Sequence, residues 1–141
     1  MYTILVPVDA DEDRARGQAA FVAELPSADT EIKAVITHAL TKEEAEAPEE
    51  LRNVERISTV RLVRDYLEDH EVEVELAEGT QPPADGIIDL ADEFDADQIV
   101  MGSRKRSPTG KAIFGSTVQS VILDADVPVT VVPEAGSEED R

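Results

Sequence analysis

Short apolar runs recur along the chain and alternate with segments in which apolar residues return every three or four positions. The runs are continuous and rich in β-branched residues, which is typical of strands buried on both faces of a parallel sheet. Five strands are therefore predicted, over Tyr2–Val8, Glu31–His38, Glu71–Leu76, Gln98–Met101 and Val127–Val132.

The segments between these runs have the periodicity of helices that bury one face. Helices are predicted over Asp11–Leu25, Val54–Leu67, Asp85–Phe94 and Ser116–Leu123. Regular alternation of strand and helix implies right-handed crossovers. The pattern predicts an α/β fold with one doubly wound, five-stranded parallel sheet flanked by helices.

Two segments interrupt the alternation. The acidic stretch Ala39–Arg52 is longer than an ordinary strand-to-helix connection, and Glu134–Arg141 has charge but nothing to bury. We expect both to be solvated surface. The chain of 141 residues is thus predicted to form a single domain over residues 1–133, followed by a flexible acidic tail over 134–141.

The net charge of −19 changes this picture, because 32 acidic residues face only 13 basic ones. A hydrophobic content of 41% is too high for a disordered chain. Such acidity is expected of a halophile's cytoplasm, where carboxylates hydrate the surface and salt screens their repulsion. It argues against nucleic acid and anionic membranes as partners. No run approaches a membrane span, and the chain has no cysteine, so we expect a cytoplasmic protein without disulfides.

One stretch departs from this acidity. None of the 32 acids lies between Gln98 and Leu123, whereas four bases do, namely Arg104, Lys105, Arg106 and Lys111. Gly102 is expected to turn the chain after its strand, and Gly115 precedes a helix that opens with Ser116 and Thr117. A helix N-terminus with hydroxyls and nearby cations favours a phosphate. The alternative is a capping box between Ser116 and Gln119, which would occupy the serine hydroxyl.

Two better-known motifs fail on this chain. A Walker A loop would need glycine where Lys105 stands and serine or threonine where Ala112 stands. A response-regulator receiver domain would share the acids Asp9 and Asp11 after the first strand. It would also need an aspartate after the third strand and a lysine ending the fifth, and the sequence has neither there.

The stretches YTILVPVD, THAL, ADQIVMGSR and GSTVQSVILDADVPVTVVP resemble the universal stress proteins of the UspA type over nearly the whole chain. That resemblance implies a Rossmann-like fold that binds adenine nucleotides. The pattern of the ATP-binding members, G-x2-G-x9-G-[S/T], is matched by Gly102, Gly115 and Ser116, with Lys105 in place of the second glycine. Lysine lacks the bare backbone of glycine, but its ammonium group can pair with a phosphate.

The resemblance implies ATP as the ligand, possibly with Mg²⁺. Its adenosine would lie against Pro7, Asp9 and Ala39, with Asp9 reaching the ribose or a metal. Its triphosphate would be surrounded by the remaining residues of the implied site: Gly102, Ser103, Arg104, Lys105, Arg106, Gly115, Ser116 and Thr117. The family's frequent D-G-S after the first strand is D-A-D here, so Asp11 adds repulsion unless a cation intervenes.

The implied function is an ATP-binding sensing or regulatory module in the stress response. The alternative is a nucleotide-independent dimeric scaffold whose basic loop binds another anion or an acidic protein partner, and ATP hydrolysis ranks third because no catalytic base is evident. A homodimer is expected through the last strand, at an edge of the sheet. His38 is expected to be structural, and Arg14 and Arg16 to face solvent.

Overall fold

Five parallel strands form one sheet in the computed structural model, which describes residues 1–38, 57–103 and 114–133. In chain order they are β1 (Tyr2–Val8), β2 (Ile32–His38), β3 (Glu73–Leu76), β4 (Gln98–Ser103) and β5 (Val129–Pro133). The order across the sheet is β3-β2-β1-β4-β5, so β1 is central and β3 and β5 are the edges. The predicted doubly wound parallel sheet is confirmed.

Helices connect these strands and cover the sheet. They are α1 (Glu12–Ala23), α2 (Ala28–Glu31), α3 (Ser58–Asp69), α4 (Pro83–Glu93) and α5 (Ser116–Asp124). The four long helices correspond to the predicted ones, although Val54, the predicted start of the second, lies outside the described residues. The single turn of α2 was not predicted. Within the described ranges, no helix is long and apolar enough to cross a membrane.

The two faces of the sheet carry separate cores because successive strand residues point to opposite sides. On one face α1 and α3 pack over a cluster that includes Ile4, Val6, Ile36 and Val100. On the other face α4 and α5 pack over Leu5, Val35, Ile99 and Met101. Residues of β1, β2 and β4 appear in both clusters, which accounts for the continuous rather than alternating apolar runs.

Two helices end in a left-handed turn without a glycine. After α3, Glu71 has φ 62°, and the amide of Val72 donates to the carbonyl of Leu67 at 3.0 Å. After α4, Asp95 has φ 50°, and the amide of Ala96 donates to the carbonyl of Ala91 at 2.9 Å. Both are Schellman-type ends, in which glycine is the usual left-handed residue. Neither helix end could therefore be recognised from a glycine in the sequence.

Candidate functional site

The strand order reverses between β1 and β4, and these two strands separate towards their carboxyl ends. Their pairing is limited to Ile4 with Gln98 and Leu5 with Ile99, whereas β1 pairs with β2 along its full length. The amide of Thr3 donates to the Asp97 side chain and its carbonyl accepts from the Asp97 amide, so the backbone groups of Thr3 face β4. Because backbone groups alternate in direction along a strand, those of Leu5 and Pro7 also face β4. Pro7 has no N–H, so the next ladder bond to β4 lacks its donor. A crevice opens at this position, where open α/β sheets bind ligands.

Gln18 of α1 bridges the two diverging strands. Its side-chain Nε2 donates to the carbonyl of Pro7 at 2.7 Å and to the carbonyl of Val100 at 3.1 Å. The residue is only 1% exposed. Its amide therefore supplies hydrogen bonds where the backbone ladder has ended, and it holds the two walls of the crevice at a fixed separation.

Asp9 follows β1 and lies at the mouth of the crevice. Its Oδ1 accepts from the amide of Asp11 at 2.9 Å, and its Oδ2 accepts from Nε of Arg14 at 2.8 Å. The hydroxyl of Thr59 donates to the backbone carbonyl of Asp9 at 2.6 Å, which attaches this loop to α3. The Asp9 side chain is 37% exposed and keeps acceptor capacity on both oxygens.

The arrangement around Asp9 fits a ligand hydroxyl better than a metal ion. The Arg14 guanidinium already pairs with Oδ2 and would compete with any cation. Within the described residues, no group of three or more histidine, aspartate or glutamate side chains is placed to hold a metal. If Mg²⁺ accompanies a nucleotide, we expect its phosphates to be the principal ligands.

One sequence-based expectation about this mouth is wrong. Arg14 does not simply face solvent, because its ion pair with Asp9 holds it over the crevice with 21% exposure. Arg16 does face solvent, half exposed and paired with Glu12 and Asp13. Asp11 caps α1 by accepting from the amide of Arg14 at 3.0 Å, so it has a structural role as well as a charge.

Gly102 lies within β4, opposite Val132, rather than in a turn after the strand. The expectation that it turns the chain is therefore wrong. A Cβ at this position would lie 3.1 Å from Cβ of Arg14 and 3.3 Å from Oε1 of Gln18. Close packing of α1 on β4 is thus one reason for glycine here, because a side chain would require its neighbours on α1 to move by a few tenths of an ångström. Ser103 ends the strand and is 4% exposed.

The start of α5 differs from the predicted capping box. Gly115 is the N-cap residue, and Gln119 donates through Nε2 to the carbonyl of Phe114 at 3.1 Å instead of reaching Ser116. The hydroxyls of Ser116 and Thr117 make no hydrogen bond to the described residues. The first turns of α3 and α5 have no acidic residue, whereas those of α1 and α4 do. This N-terminus is therefore suited to an anion.

The residues between Ser103 and Phe114 lie outside the part of the chain that the structure describes, and they include Arg104, Lys105 and Arg106 of the predicted site. Ala39, which follows β2, also lies outside the described residues. The structure brings Pro7, Asp9 and Ser103 to the carboxyl edge of the sheet. It places Gly115, Ser116 and Thr117 at the start of α5.

Three contributors to the site were missed by sequence reasoning. Gln18 is polar on the apolar face of α1, between the buried Ala15 and Ala19, and that position was a usable signal. Arg14 and Thr59 gave none, because their contacts with Asp9 depend on the fold. At the end of β2, His38 is buried, and the hydroxyl of the adjoining Thr37 is buried with no hydrogen-bond partner among the described residues.

An all-parallel sheet with this strand order and a crevice between β1 and β4 defines a Rossmann-like α/β domain. The profile of the universal stress protein family matches residues 1–133. The chain belongs to the universal stress protein family.

Individual relatives agree with this assignment. A universal stress protein from Archaeoglobus fulgidus is 35% identical, with a TM-score of 0.75 over 94% of this chain and 98% of that one. The universal stress protein from Archaeoglobus fulgidus in complex with dAMP is 28% identical, with a TM-score of 0.71 over 94% and 98%. Stress response protein NhaX of Bacillus subtilis (strain 168) is 38% identical over 60 residues, which are 43% of this chain but only 35% of that protein.

Proposed function

We propose that this protein binds an adenine nucleotide, ATP, in the crevice between β1 and β4, as a sensing or regulatory module. The start of α5 is the observation that carries the proposal. Its N-terminal amides are accompanied by two hydroxyls with no described partner and by no acid in the first turn, in a chain of net charge −19. An exposed helix N-terminus kept free of negative charge favours phosphate.

The opposite wall of the crevice supports the same ligand. Asp9 is fixed by two hydrogen bonds and still has acceptor capacity, which suits the hydroxyls of a ribose. The complex of the 28% identical relative with dAMP supports an adenine nucleotide in this class of site. ATP and an accompanying Mg²⁺ are the narrower proposal, and a cytoplasmic role in the stress response is proposed from the family.

The first test is to denature freshly purified protein and identify any released nucleotide by mass. Calorimetric titration of the nucleotide-free protein with ATP and MgCl₂ in potassium chloride then measures the affinity directly. We expect saturable binding at one site per chain. Wild-type protein that releases no nucleotide and shows no heat with millimolar ATP contradicts the proposal and favours the nucleotide-independent scaffold.

Gly115→Asp and Gly115→Asn form a matched pair for locating the phosphates. Gly115 has φ −72°, and among the described residues no atom other than those of its chain neighbours and its own helix backbone lies within 4 Å of a Cβ placed there, so these residues leave room for either side chain. Both residues are better N-caps than glycine and should maintain or raise the melting temperature. Only aspartate adds a charge. We therefore expect Gly115→Asp to abolish ATP binding in a stable protein, whereas Gly115→Asn weakens it far less.

We also propose a homodimer through the outer edge of β5. The two edges of the sheet differ, because β3 carries Glu73 and Glu75 whereas β5 has no charged residue. An uncharged, valine-rich edge is prone to pairing, and a two-fold contact between identical edges ends growth at a dimer. In the described part of the chain, no strand covers this edge. An additional protein partner is expected for a regulatory module, and the sequence does not identify it.

Val129→Pro tests the dimer with little effect on the sheet. The carbonyl of Pro128 accepts from the amide of Ile99, so alternation directs the amides of Val129 and Val131 to the outer edge. Proline at 129 removes an outward N–H, whereas Thr130→Pro removes one that faces β4. In light scattering, we expect a wild-type dimer and a folded Val129→Pro monomer. A monomeric wild type, or a dimer that tolerates this change, contradicts the proposed interface.

A further inference from the structure

Arg14 lies across one wall of the candidate nucleotide site. Its Cβ is close to Gly102 of β4, and its Nε reaches Asp9 beyond β1, so the side chain extends between the two strands that form the crevice. Among the contacts with described residues, only that of Nε with Asp9 is close, at 2.8 Å, because NH2 is 3.9 Å from Asp11. The guanidinium therefore retains unused donors at the mouth of the crevice.

Two carboxylates meet at this mouth, and each accepts a hydrogen bond from the backbone. Asp9 is the acceptor that faces the crevice, and Asp11 is the N-cap of α1. Without a cation they would place two negative charges beside the path of an anionic ligand. With Arg14 between them, the three side chains carry one net negative charge.

We propose that Arg14 is a positioning residue of the nucleotide site, which offsets one of the two charges of the Asp9–Asp11 pair so that the phosphates of a nucleotide can enter. This inference rests on the proposed function. Asp9 and Asp11 of the D-A-D sequence would repel an anionic ligand unless a cation lay beside them. That cation is thereby assigned to Arg14 of α1, which is outside the basic stretch that begins at Arg104.

A purely structural role is not enough to explain the arrangement. The Arg14 and Asp9 side chains are 21% and 37% exposed, and ion pairs of this exposure add little to stability. Arg16, two residues later on the same helix, makes a similar pair of contacts with Glu12 and Asp13 but is half exposed. The two arginines differ in what they face, and this makes Arg16 the matched control.

The test compares wild type with Arg14→Gln, Arg16→Gln and the double variant Asp11→Asn/Arg14→Gln. Asparagine caps a helix about as well as aspartate, so Asp11→Asn removes a charge but preserves α1. Each protein is titrated with ATP and with uncharged adenosine by calorimetry. The titrations use the lowest potassium chloride concentration at which all four have the wild-type circular dichroism spectrum.

We expect Arg14→Gln to weaken ATP binding about tenfold, because one unit of positive charge is lost beside the path by which the phosphates enter. Adenosine binding should change less than about threefold, because adenosine carries no charge to repel. Arg16→Gln should behave as wild type. Asp11→Asn should restore ATP affinity to the Arg14→Gln protein, and the difference between Arg14→Gln and wild type should shrink as salt is raised.

The outcomes separate this inference from the proposed function. A wild type that binds neither ligand overturns both. A wild type that binds ATP, with an unchanged Arg14→Gln variant, overturns only the role of Arg14. Equal losses of ATP and adenosine, or no recovery with Asp11→Asn, indicate a structural contribution and also overturn it.

Discussion

Replacing Gln18 by leucine tests whether the crevice is held open by a side chain. Leucine is of similar size but has no donor, so the carbonyls of Pro7 and Val100 would lose the amide contacts of 2.7 and 3.1 Å. Because the site is 1% exposed, water has little access to replace them. A buried polar group left without a partner costs about 1–3 kcal/mol, and the greater hydrophobicity of leucine offsets part of this.

The expected net loss is about 2–4 kcal/mol of unfolding free energy, since two carbonyls are affected. In a domain of this size that corresponds to a fall in melting temperature of about 6–15 °C. Thermal unfolding followed by circular dichroism, supported by urea titration, measures it. Gln119→Leu is the matched control, because its amide also donates to a carbonyl, that of Phe114, but on an exposed surface.

The result that refutes this reasoning is a Gln18→Leu protein that melts within about 2 °C of wild type, or no lower than Gln119→Leu. Either outcome would mean that the two carbonyls find other partners. The bridge would then not be what holds β1 and β4 apart. A large loss in both variants would instead indicate that leucine itself is not tolerated on these helices.

Three further measurements follow from the same structure. Gly102→Ala should lower the melting temperature by about 3–6 °C because its Cβ meets Arg14 and Gln18 at 3.1 and 3.3 Å, and an unchanged melting temperature would show that α1 can shift. Glu71→Gly should raise the free energy of unfolding by up to about 1 kcal/mol, because Glu71 has a left-handed φ of 62° that glycine adopts more readily. Glu71→Ala removes the same charge and should not raise it. Equal effects of the two changes would show that the gain comes from the lost charge. The melting temperature should rise steeply with potassium chloride, because a net charge of −19 is screened over about 3 Å at 1 M but about 30 Å at 0.01 M; indifference to salt would remove the halophile interpretation.

The fold could be predicted from the sequence because its signals are local. Each strand has a continuous apolar run, each long helix has a three-to-four-residue period, and their alternation restricts the topology. The end of the fourth strand was placed too early because it depends on a contact distant in sequence. The fourth strand extends to Ser103 because Gly102 and Ser103 pair with Val132 and Pro133 of β5.

The site was predictable only in part. The loops that leave β1 and β4 could be chosen from topology, and the acid-free stretch pointed to the start of α5. The capping box was wrong because two overlapping signals, Gly115 and Ser116, competed for the N-cap position, and Gly115 occupies it. The role of Arg14 was missed because its partner, Asp9, belongs to the preceding loop and only the fold brings them together.

Gly102 and Gly115, the two glycines of the nucleotide pattern, differ in how strongly they indicate a ligand. Gly102 is favoured by the packing of α1 against β4, because an added Cβ would lie 3.1 Å from Cβ of Arg14, so this glycine has an explanation that needs no ligand. The described residues give no such reason for Gly115, because its φ is −72° and, apart from its chain neighbours and its own helix backbone, none of them has an atom within 4 Å of a Cβ placed there. Asparagine, aspartate or serine would cap α5 better than glycine does. A glycine that neither the backbone nor the described packing demands, at a helix start free of acids, is best explained by something that approaches that helix closely, and a phosphate is the group that its exposed amides favour.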